Sequence, residues 1–184
     1  MFTEDQKRAL IEIARAAVLA QVTEPTASDP GPGHALVVDL PTASGAFVTL
    51  KRSGELRGCL GTLECRHSLA EEVARLARST AHEDPRFAPV HPSELPQISV
   101  EVSILGPLEP IDPHDPAALV IGRHGLVVEK GWRRGLLLPQ VATEWHWDRD
   151  EFLAHTCRKA GLPADAWKCG ANVYRFDAVV FGED

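Results

Sequence analysis

The chain reads as an α+β protein, and three observations predict that class. Stretches with helical period alternate with stretches of period-2 alternation in no regular strand–helix–strand order. Two candidate helices open on a cap residue followed three positions later by Gln or Glu, Thr3 with Gln6 and Asp148 with Glu151. The segment from Ala46 to Thr62 runs apolar, turns at Ser53-Gly54 and returns, as a β-hairpin does. The prediction is a mixed sheet with this hairpin at its centre and about three main helices. With 184 residues, the chain can bury roughly two thirds of its unfolded surface, so residues 1–184 are taken as a single domain.

The elements follow in order. Leu10, Ile13, Ala14, Ala17 and Val18 form one apolar stripe, which predicts a first helix ending near Ala20. Residues Thr23 to Gly33 have loop composition, and His34 to Leu40 is partly extended. After the hairpin, Leu69, Val73, Leu76 and Ala77 predict a helix over His67–Thr80, with Glu71, Glu72 and Arg75 towards water. Pro85 and Pro89 then stop any helix. Ser93-Glu94-Leu95 is a brief bridge to Ile98–Leu105, whose strict alternation predicts a half-buried strand. Ala118–Ile121, Leu126–Glu129 and Leu136–Leu138 are short strand candidates punctuated by glycines, and Pro139 ends the run. The Asp148 cap opens a third helix that buries Phe152, Leu153, Thr156, Cys157 and Ala160 and stops at Gly161. Val173–Phe181 returns as a strand.

The net charge is −7, from 26 acidic and 19 basic residues, which argues against a general nucleic-acid binder. Lys130, Arg133 and Arg134 are clustered, either as a local basic patch or as a solvated turn, of which the turn is preferred. No long apolar run marks a membrane span or leader, so the four cysteines read as reduced thiols of a cytoplasmic protein. Their spacing does not match a zinc site, and no cofactor is expected. Phosphate-loop, dinucleotide, iron–sulfur and metalloprotease motifs are missing from the sequence.

Chemistry concentrates on the returning strand. Alternation places Arg57 and Cys59 on one face and Leu56 and Leu60 on the other. Gly58 and Gly61 leave the backbone open to close approach. Cys59 is either a nucleophile activated by the adjacent guanidinium or a small buried hydrophobe. Arg57 either grips a carboxylate or phosphate across an open surface or pairs with an internal acid, for which Glu101, Glu144 and Asp84 are the candidates. The uncovered glycines favour the open clamp, and Arg52 extends its positive rim. His67, His82 and Glu83 are candidate acid–base partners of the thiol. Trp145 and Trp147 serve either as hydrophobic anchors or as a stacking surface.

LRGCLG at Leu56–Gly61, DPRF at Asp84–Phe87, ISVEVSIL at Ile98–Leu105 and GLLLPQVATEWHW at Gly135–Trp147 stand in the order seen in one family. The sequence resembles the AMMECR1 domain family, whose microbial members are called AmmeMemoRadiSam system protein A. The resemblance implies two unequal lobes around a cleft lined by the LRGC-G motif. It adds Asp84, Arg86, Gln140 and Glu144 as substrate-side candidates beside Arg52, Gly58 and Gly61. It also implies association with Memo-like and radical-SAM proteins in a modification pathway acting on a small molecule, protein or RNA. Two functions follow: a cleft enzyme or accessory subunit using Cys59 and Arg57, or a non-catalytic adaptor that recognises an anionic group or a partner protein.

Overall fold

The computed structural model describes residues 2–24 and 39–183. The predicted loop at Thr23–Gly33 and the extended stretch at His34–Leu40 lie largely outside the described residues. The class is α+β, and the described chain forms two compact units. One comprises the chain up to Ile104 together with the segment from Val179; the other comprises Leu105–Ala178.

In the first unit, α1 (Glu4–Thr23) opens on the predicted Thr3–Gln6 capping box and runs three residues beyond Ala20. β1 (Gly45–Arg52) and β2 (Glu55–Thr62) pair antiparallel through Ser53-Gly54. Both turn residues have positive φ, 51° and 87°, which a type I′ hairpin turn requires. α2 (Leu69–His82) is capped by Ser68 and Glu71. β3 (Ile98–Leu105) lies beside β1, so β1 sits between β2 and β3. Ala46, Val48 and Leu50 of β1 and Ile98, Val100, Val102 and Ile104 of β3 pack with Leu10, Val18, Val73 and Leu76 of the two helices in one core. Near the chain end, Glu183 accepts hydrogen bonds from Arg15 and from the Val100 N–H.

Three expectations for this unit change. The hairpin is not at the centre of the sheet, because β2 stands at the end of the strand order. Glu72 is buried rather than solvated: its carboxylate accepts the Arg66 N–H at 3.0 Å and the Arg75 guanidinium at 2.7 Å, tying the preceding loop onto the helix. β3 is also more buried than its alternation implied, since Ser103 and Leu105 on its other face are both enclosed.

In the second unit, β4 (Glu109–Pro110) and β5 (His124–Lys130) both pair with the first part of β7 (Asn172–Gly182), and β6 (Arg133–Leu137) pairs with β5. Ala118–Ile121 is not a strand; a single 3-10 turn, Pro116–Ala118, capped by Asp115, ends at its first residue instead. Pro139 does not merely end a run but opens a short helix, α3 (Pro139–Glu144), at a position where proline's missing N–H carries no penalty. α4 (Arg149–Lys159) has the predicted Asp148–Glu151 box. It ends in a Schellman motif: Leu162 N–H bonds Cys157 O, Gly161 N–H bonds Arg158 O, and Gly161 sits at φ 72°. Phe152, Leu153 and Cys157 of α4 pack with Leu126 and Val128 of β5 and Val173 of β7.

α4 reaches β6 only because residue 135 has no side chain. A Cβ there would stand 2.3 Å from the Ala160 nitrogen, and a helix backbone cannot yield as a side chain tip can. Gly135→Ala is therefore expected to lower unfolding free energy by about 2–3 kcal/mol, the upper part of the overpacking range, measured by urea denaturation beside the parent.

Candidate functional site

β2 holds the motif residues, and its register explains their geometry. Leu50 pairs with Gly58, but Lys51 pairs with Leu56, so Arg57 is the extra residue of a β-bulge. Directly opposed residues share a face. Cys59 lies opposite Thr49 and Leu56 opposite Lys51, so the bulge carries Leu56 to the Cys59 face instead of leaving it with Leu60, which lies opposite core-facing Val48.

The bulge aims Arg57 at Glu94. Arg57 Nε donates to Oε1 at 2.9 Å and Nη2 to Oε2 at 3.1 Å, a bidentate pair with both side chains mostly enclosed. Arg52 Nη1 adds a bond to Glu94 Oε1 at 3.1 Å, and the His91 N–H donates to Oε2 at 2.8 Å. These contacts, led by Arg57, hold the Glu94 carboxyl down at about 2. The internal acid is therefore Glu94, not Glu101, Glu144 or Asp84. Glu101 pairs with Lys51 and Asp84 with Arg86, while Glu144 is an exposed residue closing α3 in the other unit.

Cys59 is held through its backbone. Its N–H donates to Asp84 Oδ2 at 2.9 Å, and its C=O accepts Arg86 Nη2 at 3.1 Å. Asp84 and Arg86 are themselves paired at 2.7 Å. Asp84 is buried, and the Arg86 guanidinium keeps its carboxyl far below the usual carboxylate range, with the Cys59 N–H adding to the effect. Because the backbone groups of Cys59 point away from β1, Cys59 and Thr49 form a non-hydrogen-bonded pair, the kind in which opposed side chains approach most closely. The Thr49 hydroxyl accordingly donates to Sγ at 3.3 Å. Burial pushes the Cys59 thiol up; the Thr49 bond and Arg86 pull the other way without overcoming it.

The glycines are covered, not open. A Cβ on Gly58 would meet the Thr80 carbonyl of α2 at 3.0 Å, and one on Gly61 would meet the Phe47 ring at 2.1 Å. The close approach that the sequence implied is made by the protein's own helix and ring. His82 ends α2, and Glu83 is its C-cap; both are exposed. His67 lines two surface cavities beside the start of α2, of about 370 and 300 Å3, whose linings include neither Arg57 nor Cys59. In the second unit, the Gln140 carbonyl accepts the Thr143 hydroxyl, and Trp147 stacks on Trp145 and His155. Among the described residues, no group of three or more His, Cys, Asp or Glu could hold a metal ion, and no helix is long and apolar enough to cross a membrane.

Glu94 and Thr49 are the site residues that sequence reasoning missed. His91-x-x-Glu94 has the spacing of a capping box, and both reciprocal bonds are present. That signal could have placed the carboxylate locally; nothing in it points to Arg57.

The AMMECR1 family model matches residues 11–181. The chain belongs to the AMMECR1 family. It is 46% identical to a protein of Methanothermobacter thermautotrophicus over 99% of this chain and 96% of that one. It is 43% identical to protein TK0174 of Thermococcus kodakarensis over 95% and 89% of the two chains. The crystal structure of protein PH0010 from Pyrococcus horikoshii superposes with a TM-score of 0.90 at 40% identity, covering 100% of this AMMECR1 chain and 94% of the other.

The Arg57–Glu94 pair makes a stability prediction. Arg57→Ala leaves an enclosed carboxylate with weaker partners and is expected to cost about 3 kcal/mol in urea denaturation. The pH dependence has a definite sign. The folded pKa of Glu94 is depressed from an unfolded value of about 4.3, so its contribution is full above that pH and lost as pH falls towards about 2. The stability gap between the parent and Glu94→Gln should therefore be constant near neutrality and close across that window, as followed by denaturation at stepped pH.

Proposed function

We propose that this AMMECR1 chain is a non-catalytic accessory or adaptor module that recognises a partner protein, with Cys59 as a packing residue. The observation that carries this reading is the bidentate Arg57–Glu94 pair, which occupies the guanidinium that would otherwise activate the thiol or grip a substrate anion. The raised Cys59 pKa and the engagement of Asp84 and Arg86 with the Cys59 backbone support it. The proposed partners are the Memo-like and radical-SAM proteins implied by the family resemblance, and the pathway would be a modification pathway.

A second reading, a cleft enzyme or small-ligand site, is favoured by one observation. Ser103 Oγ is buried without a hydrogen-bond partner among the described residues, and alternation along β3 puts it on the face of Glu101, which pairs with Lys51 of β1. A buried hydroxyl in that state is a ready polar contact for a ligand.

Alkylation by iodoacetamide separates the readings, followed at Cys59 by peptide mass spectrometry with exposed Cys169 as the internal standard. For the adaptor, Cys59 should react more slowly than Cys169 and with a midpoint above the ordinary thiol value of about 8.5. Fast modification with a midpoint below about 7 would instead identify an activated thiolate and overturn the adaptor reading.

A further inference from the structure

The second unit exposes two tryptophans, Trp132 at 88% and Trp145 at 67%, and they stand in opposite electrical surroundings. Trp132 is the second residue of the two-residue turn between β5 and β6, where Lys130 pairs with Arg133 and Gly131 has φ 61°. The Arg133 guanidinium lies over its ring at 5.2 Å and donates to the Gly161 carbonyl at 2.5 Å, while Lys130 donates to the Cys169 carbonyl at 2.8 Å. These two cations bond to neutral carbonyls, so their charge is not cancelled, and they brace the hairpin at the C-terminal end of α4.

Trp145 stands at the other end of α4. Its ring stacks on Trp147 at 6.2 Å and 19°, and Trp147 stacks on His155 at 3.8 Å and 7°. The ladder stops at an indole open to solvent. Glu144, Asp148 and Glu151 surround that end in sequence, while Asp150 is paired with Arg149.

Helix polarity accounts for acids at the start of α4 and bases at its finish. It does not account for a tryptophan at each end, since a large exposed indole forgoes favourable burial. Trp132 and Trp145 are both exposed, so within one unit neither pole covers the other. They are complementary in both respects that matter: cation against carboxylate, and Trp–Arg knob against an open aromatic ladder.

We propose that the two poles pair between copies of this chain, with the basic Trp132–Arg133 tip of one copy on the Trp145 ladder of the next. The contact is head-to-tail, because it joins two different patches. It is small and charge-led, so it is weak, concentration-dependent and screened by salt. It does not depend on which reading of Cys59 holds.

Sedimentation velocity tests this at micromolar to millimolar protein in low and high salt. The parent's weight-average mass should rise with concentration at low salt and return to the monomer value at about 0.5 M salt, where screening is strong. Trp132→Glu and Trp145→Ala, both at exposed positions, should each remain monomeric, with Trp132→Ser as a milder second variant and unchanged melting curves as the check on folding. The Trp145→Ala chain keeps an intact basic tip, and the Trp132→Glu chain keeps an intact ladder. Mixed one to one, the two variants should therefore form dimers and nothing larger. A parent that stays monomeric throughout, or association that survives both Trp132→Glu and Trp145→Ala, would overturn the proposal.

Discussion

The outer side of β2 is closed by two side chains. β2 stands at the end of the strand order in its unit, and an open strand edge presents unpaired backbone groups. At Cys59, Asp84 takes the N–H and Arg86 supplies the C=O with a donor, so two side chains from a turn stand in for a further strand. Much else depends on this clamp. It matches the strand phase that puts Cys59 against Thr49, stands next to Gly58 beneath the Thr80 carbonyl of α2, and ties down the strand from which the bulge projects Arg57. The turn that carries the clamp leads on to the segment carrying Glu94, so both ion pairs that hold β2 come from one short stretch of chain.

The same economy appears at the glycines. Gly61 lies opposite Phe47 and Gly125 opposite Phe176, and in each pair the ring covers the glycine, with a notional Cβ only 2.1 Å from it. An aromatic ring laid over a cross-strand glycine recovers packing that the missing side chain would have supplied. Gly61 therefore has a structural explanation equal to that of a glycine far from the LRGCLG motif in sequence.

Much of the fold was legible because it is local. Thr3–Gln6 and Asp148–Glu151 are capping boxes readable from four residues, Ser53-Gly54 is a turn readable from two, and the Ile98–Ile104 alternation reports its core face directly. What was not legible depends on distant partners. The Arg57 bulge exists only in the pairing of β2 with β1, and its acid is 37 positions away in the chain. Glu72 reads as a solvated helix residue until the loop before it folds down and donates the Arg66 N–H. Pro139 carries two local meanings, strand stop and helix start; both are realised, and the sequence reading took only the first. At the candidate site, then, the sequence identified the chemically unusual residues but not their partners, and the partners decide what those residues can do.

This bears on any ligand proposed for Arg57. A free anion must compete with a carboxylate that is already present at a high effective concentration and already bidentate. Glu94 does not depend on Arg57 alone, since Arg52 and the His91 N–H hold it in place, so little freedom is gained by releasing it. An incoming carboxylate would make at best the same two bonds while losing its own translational freedom, and it would leave Glu94 charged and enclosed with one fewer partner. Only a partner that also supplies a cation to Glu94 escapes that balance. A protein surface, with charges of both signs at fixed spacing, can meet the requirement, and a small anion cannot; the proposed adaptor reading rests on that difference.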